Sequence, residues 1–385
     1  MLKATTYLKG RLEFYKNAHL LRTRRTVDPL ENSYIMLDGK KLLDFSSNDY
    51  LGLKKHPKVI ECASKALNEY GIGSGASAFV SGYSKEHEKT EEMFASWLKV
   101  DKALLFPSGY SANCGIFGVL VKRSDTVFSD KLCHASILDG ISLSRAKHFR
   151  YKHNDVNHLK AMSKKMSPTL TITESIFSME GDITPLSELV KTTKETGSGL
   201  IIDDAHGIGI LGRSGKGAIE HFSLTQEDFS CLVLPLGKAF NACGAIVAGK
   251  MEVIEAVTQF SKSYKYTTAL PPVICAALQA SLKVLQEESH RREHLKEICE
   301  FFNQYAAYKG ITLISKELTP IRMVPVQTIQ KLLKVQDSLE KNGFYVPAIR
   351  PPTVPKNQAR LRISLNTLHT KNQIEQLLNL LSKEI

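Results

Sequence analysis

Short, unbroken apolar runs alternate with longer stretches of helical spacing through most of this chain. Runs at 103–106, 170–172, 200–202, 231–234 and 244–248, with Val127-Phe128-Ser129-Asp130, read as strands. A strand that is apolar at successive positions is buried on both faces, as in a parallel sheet covered by helices. Helical spacing marks 114–120 and, most clearly, 84–100, where Met93, Phe94, Trp97 and Leu98 form one stripe that reads as core. The alternation over 46–265 predicts an α/β fold with a mainly parallel sheet. Thr267-Thr268-Ala269-Leu270-Pro271-Pro272 interrupts it, and a helix-rich stretch follows over 273–308. Short strands at 321–326 and 361–365 and a last helix at 372–385 predict a smaller α+β domain. Residues 7–21 form a plausible amphipathic helix with Leu8, Leu12, Tyr15 and Ala18 on one face. The expected organisation is an N-terminal arm (1–45), a large domain (46–275) and a C-terminal domain (276–385). No internal repeat is seen.

Composition narrows the class. At 385 residues the chain can bury a large core. It has no apolar run of about 18 residues, so no membrane span is expected. Met1-Leu2-Lys3-Ala4-Thr5-Thr6 lacks the apolar core of an export signal. The seven cysteines are scattered with no C-x-x-C pair, which fits a reducing cytoplasm and argues against a disulfide framework or a metal site. The net charge of +12 favours anionic partners. No basic run interleaves with aromatics, so nucleic acid is not expected. A phosphate-rich thioester, an acidic carrier protein or a generally basic proteome explains the excess equally well.

The candidate chemistry lies where apolar runs end. Leu200-Ile201-Ile202 ends in Asp203-Asp204-Ala205-His206-Gly207, and Cys231-Leu232-Val233-Leu234 ends in Pro235-Leu236-Gly237-Lys238. An acid and a lysine at such positions suit pyridoxal phosphate (PLP): the amine forms a Schiff base with the cofactor aldehyde, and the acid pairs with the pyridinium nitrogen. Phe106-Pro107-Ser108-Gly109-Tyr110 enters a helix and makes an anion cradle of backbone N–H groups. His134 could stack on a flat ring or start a helix. Thr173-Glu174-Ser175-Ile176-Phe177-Ser178 offers hydroxyls and an acid at another strand end. Gly207-Ile208-Gly209-Ile210-Leu211-Gly212 matches a dinucleotide fingerprint, but Arg213-Ser214-Gly215-Lys216-Gly217 continues the loop where that motif needs a helix. These glycines read as a flexible lip beside the cofactor.

Together these segments resemble the α-oxoamine synthase family of fold-type-I PLP enzymes, from about Asp44 onward. Asp44-Phe45-Ser46-Ser47-Asn48-Asp49-Tyr50-Leu51-Gly52-Leu53 resembles its opening signature, and Gly73-Ser74-Gly75-Ala76-Ser77 with Gly82 its glycine-rich loop. Arg350-Pro351-Pro352-Thr353-Val354-Pro355 and Arg360-Leu361-Arg362 resemble the substrate motif of the oxononanoate branch. The resemblance implies a seven-stranded, mainly parallel sheet and a PLP-dependent acyltransferase of biotin synthesis. Its expected reaction joins L-alanine to pimeloyl-CoA or pimeloyl-carrier protein, with loss of CO2 and release of free thiol, giving 8-amino-7-oxononanoate. It implies that Lys238 carries PLP and moves the α-proton, that Asp203 pairs with the pyridinium, that His134 stacks and that His206 and Ser178 contact the phenolate oxygen. Ser108, Gly109 and Tyr110 would hold the phosphate. Glu174 and Asn48 would shape the pocket, and Thr267 and Thr268 would reach a phosphate across a homodimer interface. Arg362 would clamp the amino-acid carboxylate, with Arg350, Thr353 and Arg22 as further substrate contacts. One departure stands out: the family carries Ser or Thr three residues before the lysine, where this chain has Pro235. Three other readings stay open: a sister synthase using glycine or serine and another acyl-CoA (a signalling-ketone synthase included), an aminotransferase, and a non-catalytic PLP-fold binder.

Overall fold

A computed structural model describes residues 3–18, 20–355 and 357–385. Met1 and Leu2, read above for an export signal, lie outside them. The chain forms two compact units. One comprises Asn48–Phe177 and Asp182–Glu293; the other comprises Met1–Ser47, Ser178–Gly181 and His294–Ile385.

The first unit contains a seven-stranded sheet: β1 (Lys102–Phe106), β2 (Thr126–Asp130), β3 (Lys147–Tyr151), β4 (Leu170–Glu174), β5 (Gly199–Asp203), β6 (Cys231–Pro235) and β7 (Ala245–Gly249). Their order across the sheet is β1-β7-β6-β5-β4-β2-β3. Neighbours are parallel except that β7 runs antiparallel to both β1 and β6. The fold is therefore the expected α/β type. The register sets Glu174 of β4 beside Asp203 of β5, and Asp203 beside Val233 of β6. Phe106 and Pro235 both face Ala245, so the carboxyl ends of β1 and β6 lie at the same edge.

Helix burial explains the unbroken apolar runs. On one face Ile116, Phe117, Ile137, Ile141, Ile254 and Val257 pack with Leu104, Val127, Leu170, Ile172, Val233 and Val247 in one fully buried cluster. The helix Lys85–Leu98 starts at Ser84, whose side chain and that of His87 cap each other's backbone N–H groups. Its Phe94 and Trp97 pack against Phe240, with ring centroids 5.4 and 6.1 Å away.

The glycine-rich segment after β5 opens no helix, which removes the dinucleotide reading. It is also packed rather than a loose lip: residues 204–209 are buried. Gly209 has φ +82°, and a Cβ there would lie 2.7 Å from the Ala239 side chain.

In the second unit, Val27–Pro29, Tyr34–Leu37, Lys40–Asp44 and Phe344–Tyr345 form a four-stranded sheet. Ile321–Pro325, Arg360–Ser364 and Ala348–Ile349 form a three-stranded sheet. The N-terminal helix spans Lys3–Asn17, earlier than expected, and Leu8 and Leu12 are exposed on it. Among the described residues no helix is long and apolar enough to cross a membrane.

Candidate active site

The first unit gathers most of the predicted site residues at the carboxyl edge of its sheet. Asp203 ends β5 and is nearly fully buried. Its Oδ2 accepts from Asn113 Nδ2 at 2.8 Å and its Oδ1 from the Ala205 N–H at 3.0 Å. These two donors fix the orientation of the carboxylate. The adjacent Asp204 bonds elsewhere, accepting from the Ala218 N–H at 2.8 Å and from Ser175. Burial pushes its carboxyl up to about 7.

A hydrogen-bond chain runs from Asp203 to His134 and Glu174. Asn113 Nδ2 also donates to Ser136 Oγ at 3.1 Å, and Ser136 Oγ meets His134 Nδ1 at 2.8 Å. The His134 N–H donates to Glu174 Oε1 at 2.6 Å. His134 caps the helix Ala135–Ser144 and keeps an exposed face. Its surroundings lower its proton affinity, burial first, which favours the uncharged ring. Burial and the nearby Asp203 raise Glu174 well above the usual carboxylate range. The Lys238 charge acts against protonation of both groups, which places the lysine beside them.

His206 is buried, and its Nδ1 lies 2.7 Å from the Tyr50 hydroxyl. The same hydroxyl lies 3.2 Å from Asn48 Oδ1. The sequence reading assigned roles to Asn48 and His206 but missed Tyr50, the fully buried residue that joins them.

The segment read as a phosphate cradle enters a helix. Ser108 is the N-cap of the helix Gly109–Leu120, and its side chain accepts from the Ser111 N–H. Tyr110 is exposed and donates to Asp139. A Cβ on Gly109 would lie 2.6 Å from Pro235 Cγ. The helix N-terminus at Gly109 and Tyr110, a fixed carboxylate, an imidazole with an exposed face and a lysine in one unit fit PLP: the N–H donors suit its phosphate and the acid suits its ring nitrogen. Thr267 is half-buried and Thr268 exposed. Their segment is strapped to the glycine-rich loop, with Ala269 N–H donating to Ala76 O at 3.0 Å.

The remaining predicted residues lie in the second unit. Arg362 is buried; its Nε donates to the Ser178 carbonyl at 3.0 Å and its Nη1 to Ser364 Oγ at 2.8 Å. Arg22 donates to Thr353, and Arg350 to the Leu21 carbonyl at 3.0 Å. The segment at Leu21 and Arg22 is therefore linked to the one at Arg350 and Thr353.

A sequence profile described as "Aminotransferase class I and II" matches residues 40–381. The chain belongs to the class I and II aminotransferase family. It is 42% identical over 377 residues to 8-amino-7-oxononanoate synthase of Pseudomonas syringae pv. syringae, covering 98% of this chain and 95% of that one. A crystal structure of 8-amino-7-oxononanoate synthase from Francisella tularensis matches 89% of this chain and 97% of that chain, at 36% identity and a TM-score of 0.80. A serine palmitoyltransferase variant from S. paucimobilis, with a bound PLP–myriocin aldimine, matches 100% of this chain and 98% of that one, at 26% identity and a TM-score of 0.92. With family membership and relatives of one name along nearly its whole length, this member is a PLP-dependent acyltransferase resembling 8-amino-7-oxononanoate synthase.

Proposed function

We propose that the enzyme joins L-alanine to a pimeloyl thioester, carried by CoA or by a carrier protein, and releases CO2, free thiol and 8-amino-7-oxononanoate for biotin synthesis. The observation that carries this reading is the complete set of Lys238, Asp203, His134 and His206 in a chain whose full-length relatives bear that synthase name.

PLP, when bound, supplies an electron sink for the amino-acid α-carbon. The protein's own groups do the rest. Lys238 would carry the cofactor and move the α-proton. Asp203, fixed by Asn113 and Ala205, would present its carboxylate to a ring nitrogen. His134 offers a neutral face for stacking, and His206, oriented by Tyr50, offers a ring N–H to a phenolate oxygen, with Ser178 assisting there. Ser108, Gly109 and Tyr110 would hold the phosphate. Glu174 and Asn48 would shape the pocket. Arg362 would take the substrate carboxylate, with Arg350, Thr353 and Arg22 as further contacts. The α-carbon, having given up its proton, would bond to the acyl carbonyl carbon as the C–S bond breaks and thiolate leaves; the pair left by departing CO2 would then take up a proton at the same carbon.

We assign a homodimer in which Thr267 and Thr268 serve the partner's phosphate. Exposed Phe79, Val80, Phe260 and Tyr266 support this assembly as an apolar surface beside those threonines. Seven unpaired thiols support a cytoplasmic location. The proposed domain roles remain an arm at 1–45, a cofactor domain at 46–275 and a C-terminal domain at 276–385.

The high structural similarity to serine palmitoyltransferase favours, as a second reading, a sister synthase that uses glycine or serine. A thiol-release assay across alanine, glycine and serine with several acyl thioesters separates the two. Alanine with a pimeloyl thioester is expected to give the highest kcat/KM; a preference for serine with a long acyl chain would support the second reading instead. Lys238→Ala is expected to lower kcat by at least ~10²-fold, the scale of a lost proton-transfer group. Wild-type turnover would remove Lys238 from its role.

A further inference from the structure

The strand that delivers the phosphate cradle is the open edge of the large sheet. β1 pairs only with β7, so on its outer side its N–H groups have no neighbouring strand. The Leu105 N–H, three residues before Ser108, is accepted instead by Glu91 Oε1 at 2.8 Å. The other carboxylate oxygen, Oε2, accepts from the Tyr83 hydroxyl at 2.7 Å. Tyr83 follows directly on the glycine-rich loop and the turn Ala78–Gly82. One helical turn before Glu91, His87 Nε2 lies 2.6 Å from the Leu270 carbonyl, which also accepts from Ser74 Oγ at 2.7 Å. Leu270 lies two residues beyond Thr268. One face of Lys85–Leu98, at i and i+4, therefore holds the cradle strand, the glycine-rich loop and the threonine segment.

We infer that Glu91 is a positioning residue for the cofactor phosphate: it sets the end of β1, and with it the N–H groups of residues 108–110, against the loop that ends at Tyr83. The inference rests on PLP being the cofactor, not on which amino acid or acyl group reacts. Glu91 is almost fully buried, and its two carboxylate oxygens are taken up by the Leu105 N–H and the Tyr83 hydroxyl. Burying a carboxylate is costly, and the burial pushes Glu91 up to about 7 against the opposing pull of Leu105 and Tyr83. An apolar residue would avoid that cost but would leave the Leu105 N–H without an acceptor. Cradle geometry is what the carboxylate adds. A shift of a few tenths of an ångström in backbone N–H groups aimed at a phosphate weakens each charge-assisted bond.

The test compares wild type with Glu91→Gln, Glu91→Leu and Tyr83→Phe. Apo-protein of each is titrated with PLP, amide hydrogen exchange is followed over residues 105–111, and kcat is measured at saturating PLP. Glutamine keeps an acceptor for Leu105, so its PLP affinity should stay within about threefold of wild type. Leucine should weaken PLP binding by about tenfold or more and speed exchange over 105–111, while kcat at saturation changes little. Tyr83→Phe should fall between. Wild-type PLP affinity in Glu91→Leu, or equal losses in the Gln and Leu variants, would overturn the inference. Should the Leu variant fail to fold, Tyr83→Phe decides: unchanged PLP affinity and exchange overturn it.

Discussion

Gly109 lacks a side chain because Pro235 occupies the space. A Cβ there would sit 2.6 Å from Pro235 Cγ and 2.8 Å from its Cβ, so the cradle lies flush against the end of β6. Pro235 offers that cradle neither a hydroxyl nor an N–H. Pro235→Thr is expected to tighten PLP binding by roughly tenfold, the equivalent of about 1.4 kcal/mol for one added bond to a charged group. Titration of apo-protein with PLP checks it; equal or weaker binding would mean that the backbone is built around the proline. The positions of Asp203, at the end of β5, and of Lys238, three residues past β6, were legible because each follows an unbroken apolar run. Asn113 and Tyr50 were not. Asn113 meets Asp203 across 90 positions, and Tyr50 meets His206 across 156. No local pattern announces such a pairing, because the partners meet only once the sheet has formed.

Between elements, one histidine ties three segments of the first unit together. His153, just after β3, places Nδ1 at 3.0 Å from Asp130 at the end of β2, and Nε2 at 2.8 Å from Asp182. Burial disfavours its charge, but the two carboxylates win and push it up to about 10. A group held above its unfolded value of about 6.5 gives stability that is complete below that value and lost as pH rises through the folded one. His153→Gln is therefore expected to cost about 2–3 kcal/mol at pH 6, with the deficit shrinking toward pH 10. Urea unfolding of both proteins at pH 6, 8 and 10 measures it; a pH-independent deficit would mean that the imidazole acts by packing alone. The same region shows why some elements escaped the sequence. Buried strands such as β5 and β6 declare themselves as apolar runs. β3 is Lys147-His148-Phe149-Arg150-Tyr151, an edge strand mostly open to solvent, and has no such run. The strands at Tyr34–Leu37 and Lys40–Asp44 were absorbed into an arm because their ladder is completed by Phe344–Tyr345, some 300 residues away. Helix ends varied: the expected 84–100 lies close to Lys85–Leu98, whereas the expected 114–120 begins five residues late against Gly109–Leu120, because Ser108 caps a first turn that carries no apolar stripe.

For the molecule as a whole, the proposed homodimer divides each site between two chains. Thr267 and Thr268 are tied to the glycine-rich loop through Ala269 and Ala76, beside an exposed apolar surface. If that surface closes against a second copy, each chain supplies Lys238 and the cradle to its own site and the two hydroxyls to its neighbour's. The isologous symmetry of such a dimer makes the arrangement testable by mixing two inactive variants. A Lys238→Ala chain lacks the lysine in its own site but still offers its threonines across the interface. A Thr267→Ala/Thr268→Ala chain keeps its lysine but offers its partner nothing. In a heterodimer one site loses both contributions and the other loses neither. Random reassociation at equal amounts should make half of the dimers mixed, with one intact site in each, so activity should recover to about a quarter of wild type. Each variant alone should stay near background in PLP affinity or turnover. Recovery absent despite proven subunit exchange would place the hydroxyls in their own chain's site, and a fully active monomer would remove the shared site altogether.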